Sequence, residues 1–139
     1  MSIVPVRVLV VDDFEPWRRF VCSTLQNQPD IEVIGEVSDG LESVRKAEEL
    51  RPDLILLDIG LPTLNGVEAA RRIHQIVPDA KILFITQNND PDVVRAALTN
   101  GAQGYILKMH AKSELLLAIE AVIRGDRFLG KRVELPNSS

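Results

Sequence analysis

Leu54-Ile55-Leu56-Leu57-Asp58 runs four apolar residues without a break into a carboxylate. A short continuous apolar run of this kind indicates a strand covered on both faces, as inside a parallel sheet. Gly60 and Pro62 then turn the chain away. In open α/β sheets, ligands bind in the crevice outside the carboxyl ends of the strands. The run therefore predicts a central strand that delivers Asp58 to a place where chemistry happens.

Three more runs have the same form. Val6-Arg7-Val8-Leu9-Val10-Val11 ends in Asp12-Asp13, Ile82-Leu83-Phe84-Ile85 ends in Thr86, and Gly104-Tyr105-Ile106-Leu107 ends in Lys108. Residues 31–37 differ, because Ile31, Val33 and Val37 alternate with Glu32 and Glu36. Alternation marks a strand with one wetter face, which belongs at a sheet edge.

Helical spacing separates these runs. Pro16 suits a first helical turn, and Trp17, Phe20, Val21 and Leu25 follow it, up to the break at Pro29-Asp30. Asp39 with Glu42 and Asn65 with Glu68 form capping-box patterns. Leu41, Val44 and Ala47 are the expected buried stripe of the second helix, which Pro52 closes; Ala69, Ala70, Ile73 and Val77 serve the third. Asp90 caps the fourth, Pro91 opens it, Val93, Val94, Ala97 and Leu98 line it, and Gly101 stops it. Leu115, Leu116, Ile119, Val122 and Ile123 line the last, ending at Gly125. Strand and helix alternate five times, which calls for a parallel sheet with helices on both faces and right-handed crossovers. The predicted fold is α/β, a flavodoxin-like (βα)5 doubly wound five-stranded sheet in the order 2-1-3-4-5. Residues 1–126 form one domain, and residues 127–139 read as a partly ordered tail or the start of a linker to an output domain.

Length and composition narrow the function. A chain of 139 residues supports one real core. The net charge of −4 gives no broad basic surface for nucleic acid or anionic lipid, so neither DNA nor membrane contact is expected of this chain itself. One cysteine, Cys22, allows no intrachain disulfide and suits a reducing compartment. It reads as a buried small apolar residue. No run suits a membrane span, and Met1-Ser2-Ile3-Val4-Pro5 has no secretory pattern, so a cytoplasmic location is expected. His74 and His110 are isolated and read as surface histidines. Trp17 and Phe20 read as core or rim of the first helix, and an exposed Trp17 would suggest a dimer face.

Strand ends on one edge of a parallel sheet converge in space. That edge would gather Asp12, Asp13, Asp58, Thr86 and Lys108. Carboxylates a few ångströms apart repel, by about 4 kcal/mol per pair at 4 Å and an effective dielectric near 20. Such a cluster calls for a hard cation; Mg²⁺ is bound through few carboxylates with waters retained. Aspartate is also an attested nucleophile that forms an aspartyl phosphate. The metal and Lys108 would neutralise the transferring group, and Thr86 would donate to a phosphoryl oxygen. Each residue also has a purely structural use: Asp13 as a helix cap, Asp58 as a turn cap, Thr86 as a strand former, Lys108 as a solvated strand end. Taken singly those uses are the better account, but they do not explain why all sit at one edge.

The ordered set resembles a response-regulator receiver domain of two-component signalling. It comprises Val-Asp-Asp at 11–13, Leu-Leu-Asp-Ile-Gly-Leu-Pro at 56–62 with Asn65-Gly66, Ile-Thr at 85–86, Gly-Ala at 101–102 and Gly-Tyr-Ile-Leu-Lys at 104–108. The resemblance spans about Val6 to Gly125. It implies a phosphorylation-dependent switch, probed by a small phosphodonor, with Asp58 the phosphoacceptor. Asp13, Asp58 and, partly through water, Asp12 would hold Mg²⁺, with the backbone carbonyl of Gly60. Thr86 would move toward the phosphoryl group, Tyr105 would turn inward after it, and Lys108 would pair with the phosphoryl oxygens. The surface of the fourth helix, fifth strand and fifth helix would carry the change. The donor would be a histidine kinase or a phosphotransfer protein, with homodimerisation on phosphorylation left open. No enzyme activity beyond the chain's own phosphorylation and dephosphorylation is implied. Arg124-Gly125-Asp126-Arg127-Phe128-Leu129 is similar to the NarL/FixJ group, which joins receivers to helix-turn-helix output domains, so the chain reads as the receiver part of a transcriptional regulator.

Two positions depart from the family pattern. Gln87 stands where a small residue is usual, either overhanging the pocket or pointing away from it. Met109 stands where proline often follows the lysine, which removes the reason for a cis bond and predicts a different loop. Three other functions share parts of the pattern. A flavodoxin-like cofactor binder would need glycines after the first strand, where this chain has Asp12-Asp13-Phe14-Glu15-Pro16. A haloacid-dehalogenase-like phosphatase would need Asp-x-Asp-x-Thr there. A docking module that is never phosphorylated would have no use for the complete set.

Overall fold

The apolar runs form the middle of a parallel sheet. The computed structural model describes residues 4–135. The elements in chain order are β1 (Val6–Val11), α1 (Glu15–Gln26), β2 (Ile31–Val37), α2 (Gly40–Leu50), β3 (Leu54–Leu57) and α3 (Gly66–Ile76). They continue as β4 (Lys81–Thr86), α4 (Pro91–Thr99), β5 (Gly104–Leu107), a 3-10 turn (Lys108–His110), α5 (Ala111–Arg124) and β6 (Phe128–Leu129). The readings of Met1-Ser2-Ile3 and of Pro136 to Ser139 lie outside the described residues.

Among the described residues the sheet has six strands in the order β2-β1-β3-β4-β5-β6. The alternating strand β2 lies at one edge, as its pattern requires. The expected order 2-1-3-4-5 holds, but β5 is not the other edge. β6 pairs with it in parallel, Gly104 opposite Phe128 and Tyr105 opposite Leu129. The surface between α4 and α5 therefore carries residues 128–133 rather than a bare strand edge. A two-residue strand is too short to leave a period in the sequence.

Successive residues of a strand face opposite sides, so the sheet builds two cores. Leu9, Val11, Ile55, Leu57, Phe84 and Tyr105 pack under α2, α3 and α4. Val8, Val10, Leu56, Leu83, Ile85 and Ile106 pack under α1 and α5. The helix starts are fixed by side chains: Asp39 accepts the Glu42 N–H at 2.7 Å and Asn65 accepts the Glu68 N–H at 3.0 Å. Only this half of each capping box forms; the Glu42 and Glu68 side chains pair with Arg45 and Arg71 instead. Asp90 caps α4 through the Asp92 N–H.

Two stripe assignments do not hold. Leu41 is 44% and Leu116 38% exposed. α2 presses Gly40 onto the Leu64 backbone, which turns Gly40, Ser43 and Ala47 inward and Leu41 out. On α5 the buried line runs through Glu114, Leu115, Ala118, Ile119 and Val122, leaving Leu116 at its margin. Gly66 makes the tightest approach near Asp58: a Cβ there would lie 1.9 Å from the Asp58 carbonyl oxygen. The Gly66 N–H donates to the Ile59 carbonyl at 2.7 Å, so α3 starts against the strand end that carries Asp58.

Trp17, Phe20 and Cys22 are half-buried against the α1/α5 core. Burial, with the Glu36 carboxylate adding, pushes the Cys22 thiol up to about 11 from 9.0. Because the thiolate is the nucleophile, the folded chain is expected to alkylate with iodoacetamide near pH 8 about 100-fold more slowly than the urea-unfolded chain, since a thiol that ionises at about 11 holds far less thiolate at that pH. Timed mass spectra check this, and equal rates would show the thiol to be freely ionised.

Candidate functional site

The strand ends meet at one rim. The ladder carries on past the strands, with the Asp12 N–H donating to Val37 O at 3.0 Å and the Asp58 N–H to Val11 O at 3.2 Å. These bonds fix the backbone beneath both aspartates. Asp12 is 2% and Asp58 8% exposed, while Asp13 is open to solvent. One carboxylate oxygen from each of Asp12, Asp13 and Asp58 lies within 4.8 Å of the others. Lys108 enters from the end of β5, its Nζ 2.7 Å from Asp12 Oδ2 and 3.2 Å from Asp58 Oδ2.

The remaining bonds hold these carboxylates in place. Asp58 Oδ1 accepts the Ile59 N–H at 2.7 Å, and Asp12 Oδ1 accepts the Phe14 N–H at 2.9 Å. Burial raises the Asp12 pKa, with the Asp58 charge adding to it, against the lowering pull of Lys108 and the Phe14 N–H. Burial would lower the Lys108 pKa, but the Asp12 hydrogen bond and the Asp58 charge outweigh it and raise it overall. Three carboxylates against one ammonium leave a net negative cluster of oxygen donors, which fits a hard divalent ion. Gly60 lines the same cleft of about 630 Å³ as Asp13, Asp58, Thr86 and Lys108. A Cβ at Gly60 would meet nothing within 4 Å.

Thr86 ends β4 and is 2% exposed, its Oγ1 accepting the Asn88 N–H at 3.2 Å. Its hydroxyl proton is thus available to a group in the cleft. Tyr105 is already inward: it is wholly buried, and its hydroxyl donates to Asn88 O at 2.6 Å. The turn that the resemblance implies is therefore complete in this conformation, because β6 and the core close around the ring. Gln87 is exposed at the cleft mouth. All described peptide bonds are trans, and the loop at Met109 is a 3-10 turn with Met109 77% exposed. His74 is exposed, as expected, but His110 is half-buried with Nε2 unpartnered among the described residues.

Sequence reasoning missed three contributors. Lys108 Nζ lies 5.1 Å from the centre of the Trp17 ring, a cation–π contact. Arg18 Nη1 donates to Asp12 O at 2.6 Å and braces the loop after β1. Asn89, three residues past Thr86, bonds to the backbone of residues 132 and 134. Trp17 sits one helical turn past the aspartate pair, a spacing that could have pointed to it; Arg18 and Asn89 leave no such signal.

The response regulator receiver domain model matches residues 8–120. The chain belongs to that family. This receiver is 42% identical over 128 residues, 92% of its length, to the transcriptional regulatory protein LiaR of Bacillus subtilis. It is 40% identical over 121 residues to the response regulator protein VraR of Staphylococcus aureus. It spans about three-fifths of each, 61% and 58%. Among solved structures, a LuxR-family two-component response regulator from Aurantimonas aligns with a TM-score of 0.88 at 32% identity, covering 93% of this receiver and 92% of that chain. The response regulator domain of Thermotoga maritima CheB aligns at 0.78 and 34%, covering 88% and 96%. These relatives place the receiver in the NarL/FixJ-like group, whose general function is a phosphorylation-controlled switch. Among the described residues no helix is long and apolar enough to cross a membrane.

Proposed function

We propose that this receiver takes a phosphoryl group onto Asp58 from a histidine kinase or a phosphotransfer protein and passes the change to an output. The observation that carries this is Lys108 Nζ bridging Asp12 and Asp58 at 2.7 and 3.2 Å, beside Asp13 and Thr86. The Asp58 carboxylate attacks phosphorus, the donor's nitrogen–phosphorus bond breaks, and the electron pair leaves with the donor imidazole. Lys108 and the Thr86 hydroxyl face the new negative oxygens. Asp12, Asp13, Asp58 and the Gly60 carbonyl would hold Mg²⁺, which would supply charge neutralisation at the phosphoryl oxygens. Gln87 lies exposed at the mouth of the cleft. The receiver of residues 1–126 carries β6 and the residues docked after it along its sheet edge, and the segment 127–139 leads toward an output region, in the cytoplasm.

The deciding measurement is intact mass after acetyl phosphate and Mg²⁺, with one phosphoryl group gained and mapped to Asp58. A chain that gains no mass would overturn the assignment. The chain's only tryptophan, Trp17, offers a second check. Lys108 bonds Asp12 and lies over the Trp17 ring, so Asp12 and Asp13 engaging Mg²⁺ would loosen its hold, and Trp17 emission is expected to change saturably. In Asp12→Asn the midpoint moves to roughly tenfold higher Mg²⁺. An emission indifferent to Mg²⁺ would count against the metal site.

A further inference from the structure

Residues 128–134 are bound more tightly than a trailing end requires. The Phe128 N–H donates to Gln103 O at 3.0 Å and the Gly130 N–H to Tyr105 O at 2.9 Å, extending the sheet. Glu114 of α5, only 5% exposed, accepts the Lys131 N–H at 2.9 Å. Gly130 lets the segment approach this closely, since a Cβ there would lie 2.7 Å from Glu114 Oε1 and 3.2 Å from Ile106 Cα. Leu129 and Val133 pack onto the core that contains Tyr105, Val94 and Ala97.

The far end of this strap is held from the phosphoryl side of the molecule. Asn89 Nδ2 donates to Arg132 O at 2.8 Å, and Asn89 Oδ1 accepts the Glu134 N–H at 2.8 Å. One side-chain amide thus pairs with the strap's backbone as a neighbouring strand would. Asn88, beside it, is gripped twice more, its carbonyl by the Tyr105 hydroxyl and its N–H by Thr86 Oγ1. The latter bond uses an acceptor site on Thr86 and leaves the hydroxyl proton to donate into the cleft. The strap, Asn89, Asn88 and Thr86 form one continuous set of contacts that ends on the Thr86 hydroxyl at the cleft.

We propose that Asn89 is a positioning residue for phosphoryl acceptance, and that docking of residues 128–134 and occupancy of Asp58 strengthen one another through it. The inference rests on Asp58 as the acceptor. Coupling between two sites is reciprocal: whatever factor the docked strap adds to phosphoryl binding, phosphoryl binding adds to docking. A strap that leaves weakens the acceptor site, and an occupied acceptor holds the strap, so residues beyond β6 receive the signal directly.

The test uses the full chain with Mg²⁺ and beryllofluoride, a phosphoryl mimic, read by Trp17 emission and by amide exchange at Glu134. Asn89→Ala, a loop change that leaves the core intact, is expected to weaken beryllofluoride binding about tenfold. Gly130→Val, which displaces the strap without touching the loop, is expected to do the same. In the parent, saturating beryllofluoride should slow exchange at Glu134 by the matching factor. Parent-like affinity in both variants, or Glu134 exchange unchanged or faster on saturation, overturns the coupling while leaving Asp58 as acceptor. A parent that responds neither to beryllofluoride nor to acetyl phosphate overturns the acceptor assignment and the coupling together.

Discussion

Asp58→Asn is expected to gain no mass from acetyl phosphate and Mg²⁺, and to unfold at higher urea than the parent when no metal is present. The first effect is complete because an amide lacks the nucleophilic carboxylate oxygen. The second follows from the charges. Asp58 faces Asp12 and Asp13 within 4.8 Å, and each such pair costs about 3 kcal/mol at an effective dielectric near 20. Its one attractive partner, Lys108 at 3.2 Å, is shared with Asp12 at 2.7 Å. Two repulsions against one shared attraction leave Asp58 a net cost in the metal-free fold. The substituted amide keeps the shape of the carboxylate, and its oxygen still accepts the Ile59 N–H, so a gain of about 1 kcal/mol is expected. Saturating Mg²⁺ should shrink or reverse the difference, because the ion stabilises the parent more. A less stable metal-free variant would show that the aspartates do not repel as their spacing implies.

Lys108→Ala should be the most damaging single change at the site. Lys108 is the ammonium between two carboxylates whose side chains are 3% and 11% exposed. Removing one partner of a buried ion pair leaves uncompensated charge and costs about 3 kcal/mol. Urea melts without metal should show this loss, with part of it returned by Mg²⁺. Labelling at Asp58 should fall by about 100-fold even where the fold is rescued, since a positive group facing the transferring oxygens is gone. The pH dependence has a definite sign. The folded pKa of Lys108 lies above the ordinary 10.5. The stabilisation it contributes is therefore full below 10.5 and is lost as pH rises through the folded value. The gap between parent and variant should hold steady through neutral pH and close only in strong alkali. A variant as stable as the parent at pH 7 would contradict the bridge.

Much of this architecture was readable because strands buried on both faces need contiguous apolar residues, and Val8 to Val11, Leu54 to Leu57 and Ile82 to Ile85 supply them. A parallel sheet then forces their last residues to one rim, which is why Asp12, Asp13, Asp58, Thr86 and Lys108 could be grouped without coordinates. The illegible parts had no local signal. Phe128 and Leu129 are a strand only because β5 offers an open edge. Asn89 bonds to backbone 43 and 45 residues away, and no motif encodes a side chain that imitates a strand. Leu41 looks like core on the helical wheel, but the approach of Gly40 to Leu64 sets the rotation of α2. Tyr105 was expected to move, and its hydroxyl is already bonded to Asn88 O.

The turn from Ile59 to Gly66 has two unlike ends. Position 66 admits no side chain, because any carbon there would overlap the carbonyl of Asp58 itself, whereas position 60 opens onto empty space. Evolution can therefore vary the doorway without touching the hinge pin. Chains of this build are free to acquire different groups at the rim, and so different rates of entry for donor and water, while the carboxylate stays anchored to the start of the following helix.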